Sequence, residues 1–130
     1  MTVIAVVNGV VEHGVKLGRE IGFPTANISG VGILSGVASG VYFCRVGHWW
    51  AIANLGVNPT VSILSERKFE VHIIDYDGLE LYGERLRVEL LEFMRSERKF
   101  GSIIELREAI EGDVIAARRL IGEYTMLTNQ

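Results

Sequence analysis

Glu70 stands between Phe69 and Val71 in an alternating run that continues to Asp75, a mid-strand setting in which glutamate is disfavoured. His72 and Ile74 share its face, while Phe69, Val71 and Ile73 take the other. A carboxylate held at the mouth of a barrel can take a proton from an alcohol. A solvated strand face would account for it as well, and His72 alone reads as a structural, hydrogen-bonding histidine. In Pro24-Thr25-Ala26-Asn27, Thr25 and Asn27 are two apart, so in extended chain they point the same way. A hydroxyl and an amide oxygen are weak, neutral metal ligands. They suit Mg²⁺ only when substrate phosphates bring the negative charge and waters complete the octahedron. The competing reading is a turn in which Asn27 bonds its own backbone.

Two further segments carry donors. Gly14, Gly18 and Gly22 punctuate a loop with no Gly-Lys-Ser/Thr after it, so it is not a P-loop. Arg19 lies inside that loop, and free backbone N–H groups beside a guanidinium make a diphosphate cradle. Tight turns in a barrel would use the same glycines. Arg95-Ser96-Glu97-Arg98-Lys99-Phe100 is either a charged solvated loop or a flap whose cations meet phosphate and whose Phe100 lies against a flat ring. Together these groups suit moving a phosphoryl group from a magnesium-nucleotide to a small alcohol.

Short strands must position them. Residues 3–11 are a valine-rich run, and Gly40–Val46 and Trp49–Leu55 flank Gly47-His48, a two-residue hairpin turn. Phe69–Asp75 is another strand, and Asp77-Gly78 signals a turn before a long strand from Glu84 to about Phe93. Six or so strands joined by hairpins imply an antiparallel sheet that closes into a barrel. Ser102-Ile103-Ile104-Glu105 has capping-box spacing, so a helix starts near Ile103. Gly112 is expected to interrupt it and Asp113 to re-cap a second part from Val114 to about Tyr124. Trp49, Trp50 and Tyr42 read as packing residues, and Cys44 as a small buried hydrophobe.

The chain has 130 residues and an apolar fraction of 48%, which fits a single domain over 1–130 with its own core. No apolar run approaches the ~20 residues of a membrane helix, and the N-terminus lacks the basic region of a signal peptide. With Cys44 the single cysteine, a cytoplasmic location is expected and no membrane partner. A net charge of −3 speaks against a nucleic-acid partner, including single strands bound by a barrel. Of the fifteen glycines, ten precede position 60, which places the tight turns or close backbone approaches there.

In order along the chain, these segments resemble the riboflavin kinase (flavokinase) family. The carrying residues are Gly9-Val10-Val11-Glu12-His13-Gly14 and Gly18-Arg19-Glu20-Ile21-Gly22-Phe23-Pro24-Thr25-Ala26-Asn27. Gly40-Val41-Tyr42, Ala53-Asn54-Leu55-Gly56 with Pro59-Thr60, and Glu70-Val71-His72-Ile73 follow. Leu81-Tyr82-Gly83, Arg95-x-Glu97-x-Lys99-Phe100 and Asp113 to Arg118 complete the set. The resemblance implies a six-stranded antiparallel Greek-key β-barrel with a C-terminal helix, and transfer of the γ-phosphoryl of ATP to the terminal ribityl hydroxyl of riboflavin, giving FMN and ADP. It further implies that Gly14 and Arg19 contact the nucleotide, Thr25 and Asn27 hold Mg²⁺ and phosphate, and Glu70 is the base. Ile73, Asp75 and Tyr82 would line the nucleotide side, and Arg95, Arg98 and Phe100 the flavin side. Many bacterial relatives carry an adenylyltransferase half before this module. Here the first motif begins at Gly9, so that half is expected to be absent, the chain being either a stand-alone kinase or a module excised from a larger one, and FAD synthesis by it is not expected. The stretch Ile28–Ser39 lacks the proline that often precedes Gly-Val-Tyr. The alternative on the same barrel is a non-catalytic flavin- or FMN-binding module.

Overall fold

The computed structural model describes residues 2–12, 25–29, 36–56, 68–78 and 80–128. Six strands and one helix account for most of them: β1 (Ala5–Glu12), β2 (Ala26–Ser29), β3 (Gly40–Val46), β4 (Trp49–Gly56), β5 (Lys68–Ile73), β6 (Arg85–Arg95) and α1 (Ile103–Thr128). Every pairing is antiparallel, and the order β1-β2-β5-β4-β3-β6 closes on itself. This is the six-stranded Greek-key barrel with a C-terminal helix that the resemblance implied. Closure gives each of the six strands a hydrogen-bonded neighbour on both sides.

Strand alternation divides the apolar residues between two cores. Tyr42, Cys44 and Val46 of β3, with Ala51, Ala53 and Leu55 of β4, fill the barrel interior beside Phe69, Val71, Val88 and Leu90. The alternate residues Val41, Phe43 and Ile52 face outward and meet Ala117 and Tyr124 of α1. Phe43 is fully buried there, stacked on Trp50 at 5.1 Å and tilted against Tyr124 at 5.5 Å. Burial of one such ring contributes about 1.5–3 kcal/mol, so this seam holds the helix to the barrel. Cys44 is buried with its thiol pushed well above the ordinary range by desolvation, which makes it an inert core residue.

β6 is longer than its partner needs. The β3–β6 register shifts between Val41 and Tyr42 and again between Phe43 and Cys44. These irregularities bend β6 across β3 and bring Arg95 opposite Val41. The crossing is so close that a Cβ on Gly40 would lie 2.5 Å from the Arg95 carbonyl and 2.6 Å from the Phe93 ring, and Gly40 also has φ 153°. Only glycine fits.

Several expectations need correction. β5 ends at Ile73, and Asp75 lies beyond it in a turn with φ 58°. β6 runs to Arg95 rather than stopping near Phe93. α1 is continuous through Gly112 to Thr128, so glycine there costs propensity without breaking the hydrogen-bond ladder. Asp113 is no cap, because its carboxylate turns to Arg95. At the start of α1, Ser102 Oγ accepts from the Glu105 N–H at 3.2 Å, and Glu105 Oε2 accepts from the Gly101 N–H at 2.8 Å. No helix among the described residues is long and apolar enough to cross a membrane.

Gly112 is exposed, and a Cβ placed on it meets nothing within 4 Å. Gly112→Ala should therefore stabilise the fold by about 0.5–1 kcal/mol, read as a higher urea midpoint at unchanged slope. A lower midpoint would mean that the helix does bend there.

Candidate functional site

Barrel register sets out a row of residues across all six strands. Glu12 of β1 pairs with Asn27 of β2, Asn27 with Glu70 of β5, and Glu70 with Asn54 of β4. Asn54 then pairs with Val41 of β3, and Val41 with Arg95 of β6. Directly opposite residues project to the same side of a sheet. For this row the side is the outer one, since the neighbours Val11, Ile28, Phe69, Val71, Ala53 and Leu55 all fill the interior.

Over the row lies a cleft of about 250 Å³. Val41 and Ile52 give it apolar wall from the barrel, Leu106 and Ile110 give wall from the first turns of α1, and Phe100 joins them from the β6–α1 connection. Thr25, Glu70, Lys68, Asn54 and His72 make one polar lining, and Arg95, Arg98 and Asp113 another. Apolar and aromatic walls with a few convergent polar groups are the usual make-up of a small-molecule site.

Glu70 is partly buried, its side chain 25% exposed, with Lys68 Nζ 2.9 Å from Oε1. Lys68 is half exposed, and an ion pair in that setting contributes only about 0–1 kcal/mol. It is easily exchanged for a ligand contact. Asn27 differs. Its Oδ1 is buried and has no hydrogen-bond partner among the described residues. A buried carbonyl oxygen left so costs roughly 1–3 kcal/mol, and a hard divalent cation would satisfy it. Thr25 lines the cleft two residues away, and Asn27 is paired with Glu70 beneath it, so the two residues expected of a Mg²⁺ site lie next to each other here. The donor set fits that ion when phosphate supplies the charge.

The β6–α1 connection is pinned at several points. Arg95 Nε and Nη2 donate to Asp113 Oδ1 and Oδ2, each at 2.8 Å, and Nη1 donates to the Ser96 carbonyl at 3.2 Å. The Glu97 carboxylate lies against Gly56, and a side chain there would displace it. Arg98 stacks over Phe100 at 5.2 Å, and Arg95 reaches the same ring at 5.9 Å.

The structure thus brings together Thr25, Glu70, Arg95, Arg98 and Phe100 in one cleft, with Asn27 beside Glu70 in the same row. It does not bring Ile73, Asp75 or Tyr82 there. Ile73 is buried in the barrel interior, and Tyr82 is 54% exposed on the β5–β6 connection. Asp75 lines a second groove with Trp49, Trp50 and Arg118, at the opposite ends of β4 and β5. There Arg118 donates to both Asp75 carboxylate oxygens at 2.9 and 3.0 Å and holds that carboxyl below the usual carboxylate range. Gly14 and Arg19 lie outside the described residues. Sequence reasoning missed Lys68, Asn54 and Asp113 as lining residues. Asn54 had a signal, being the polar interruption of the apolar run Trp49–Leu55. Asp113 opens the last of the segments that carry the resemblance but reads locally as a cap, and Lys68 had no signal.

A family model described as Flavokinase: Riboflavin kinase matches residues 3–121. The chain belongs to the riboflavin kinase family. It is 40% identical over 116 residues to the bifunctional riboflavin kinase/FMN adenylyltransferase of Pseudomonas fluorescens, covering 86% of this chain and 37% of that protein. It is 36% identical over 118 residues to the RNA-binding riboflavin kinase RibR of Bacillus subtilis (strain 168), covering 88% and 49%. Among solved structures, a Streptococcus pneumoniae chain described as a macrolide-efflux protein superposes with a TM-score of 0.72 at 32% identity, covering 87% and 38%. The chain therefore spans between about a third and a half of the length of these family relatives. Family membership and barrel agree.

Asn27→Ala removes a buried oxygen that holds no partner among the described residues, so stability should hold or rise, by up to about 1–3 kcal/mol. Mn²⁺ binding in the presence of ADP, read by electron paramagnetic resonance, should nonetheless weaken about tenfold. Unchanged Mn²⁺ affinity would remove Asn27 from the metal site.

Proposed function

We propose that this chain is an ATP-dependent riboflavin kinase, with residues 1–130 acting as one catalytic unit that produces FMN and ADP. The observation that carries the reading is Glu70, set in register between Asn27 and Asn54 beneath a cleft with apolar and aromatic walls and a few charged groups. The tricyclic ring of riboflavin suits the walls made by Val41, Ile52, Leu106, Ile110 and Phe100, and its ribityl chain suits the polar lining near Glu70.

Phosphoryl transfer asks for little covalent chemistry from a protein, so positioning and charge neutralisation do most of it. The terminal ribityl oxygen forms a new bond to the γ-phosphorus while the bond from that phosphorus to the β–γ bridging oxygen breaks and ADP leaves. The hydroxyl proton passes to Glu70, which must first release Lys68. Thr25 Oγ and Asn27 Oδ1 would hold Mg²⁺, which when bound neutralises phosphate charge. Gly14 and Arg19 are assigned to the nucleotide phosphates, and Asp75 and Tyr82 to the nucleotide side on the family pattern. Ile73 supports that side from inside the barrel. Arg95, Arg98 and Phe100 are assigned to the flavin side on the family pattern, with Arg95 itself held by Asp113.

Incubating the protein with riboflavin, ATP and Mg²⁺ should yield FMN resolved by chromatography. Glu70→Gln keeps size and polarity but cannot accept the proton as a carboxylate does, so kcat should fall roughly 10²–10⁴-fold with riboflavin affinity little changed. Loss of affinity at unchanged kcat would make Glu70 a binding residue instead. Flavin binding without any FMN formed by the wild type would leave a flavin-binding module.

A further inference from the structure

Asp113 is a buried charged residue, 8% exposed, in a helix whose neighbouring turns face either solvent or apolar packing. A carboxylate in that position is costly unless it is paired and hydrogen-bonded. Its partner is Arg95 alone among the described residues, through a two-pronged contact with both distances 2.8 Å. That geometry fixes the plane and the direction of the guanidinium as well as its charge.

Arg95 therefore differs from its neighbour Arg98. Nε and Nη2 of Arg95 are committed to Asp113 and Nη1 to the Ser96 carbonyl, and its charge is neutralised. Arg98 has no ion pair or hydrogen bond among the described residues, and its guanidinium lies over the face of Phe100. We infer that Asp113 is a positioning residue for the acceptor site. It acts through Arg95, which ties the end of β6 to α1 and sets where Ser96, Arg98 and Phe100 stand over the cleft. Arg95 is then a pin of the wall, and Arg98 is the cation left to meet the ligand's polar edge. The bends in β6 at Val41/Tyr42 and Phe43/Cys44 bring Arg95 within reach of the helix. This inference rests on the riboflavin-binding reading of the cleft.

Riboflavin binding by the full chain, followed through quenching of flavin fluorescence without nucleotide, tests it alongside steady-state kinetics. Asp113→Asn and Arg95→Gln should each weaken riboflavin binding about tenfold and raise KM to match, with kcat within about twofold. The double variant should be no worse than the weaker single, because both break one contact. Asp113→Glu keeps the charge but displaces the guanidinium, so it should fall between wild type and Asp113→Asn. This variant carries the test if Asp113→Asn does not unfold cooperatively. Wild-type affinity in both Asp113 variants would overturn the proposal, as would additive effects of the two single changes or a fall in kcat at unchanged KM. A wild type that binds no riboflavin would overturn the functional reading itself. Normal wild-type binding with unaffected variants would remove the role of Asp113 only.

Discussion

The site depends on one constraint, which is the hydrogen-bonded register of the closed barrel. Because pairing is fixed strand by strand, Glu12, Asn27, Glu70, Asn54, Val41 and Arg95 must stand in a row although they are scattered over more than eighty residues of sequence. A slip of one residue in any strand would turn its member of the row into the core and its core neighbour into the cleft. The fully buried interior residues Leu55, Phe69, Val71, Val88 and Leu90 prevent that slip. The apolar packing that stabilises the fold therefore also aligns the polar row.

The outer face of the barrel is only partly covered. Along the second half of α1, Ala117 and Tyr124, with Val114, Leu120 and Ile121, close onto Phe43, Ile52 and Leu91. Nearer the start of the helix the cover gives way, and Leu106 and Ile110 face a cleft instead of a packed neighbour. Asp113 lies where seam and cleft meet, with its carboxylate on Arg95. One helix thus clamps the barrel with one half and forms the wall of the site with the other.

Much of this was legible in the residues. Strand alternation at Phe69–Ile73 and the Gly47-His48 turn are local signals, and both agree with the observed pairing, in which Val46 sits opposite Trp49. Glu70 stood out because a charge in a strand is conspicuous. The helix break at Gly112 was misread, since propensity is a weak prior that continued packing by Val114 and Ala117 overrides. Asp113 looked like a cap for the same local reason, and its actual partner is eighteen residues earlier in the chain. Asn54 was visible as a polar break in an apolar run, but its role and that of Lys68 arise from which strands lie beside β5 and from what covers them. The separation of Asp75 from the cleft follows from its place in the turn beyond the end of β5, three residues of extended chain, about 10 Å, past Glu70.

The central claim is that the metal-nucleotide meets the protein at the Asn27–Glu70 part of the row. Paramagnetic broadening of backbone amide signals by Mn²⁺ in the presence of ADP measures this directly. Broadening should centre on Thr25, Asn27 and Glu70 and fade toward Asp75 and Arg118. Broadening centred on Asp75, Arg118 and Trp49 would contradict the account and move the reaction to the other groove.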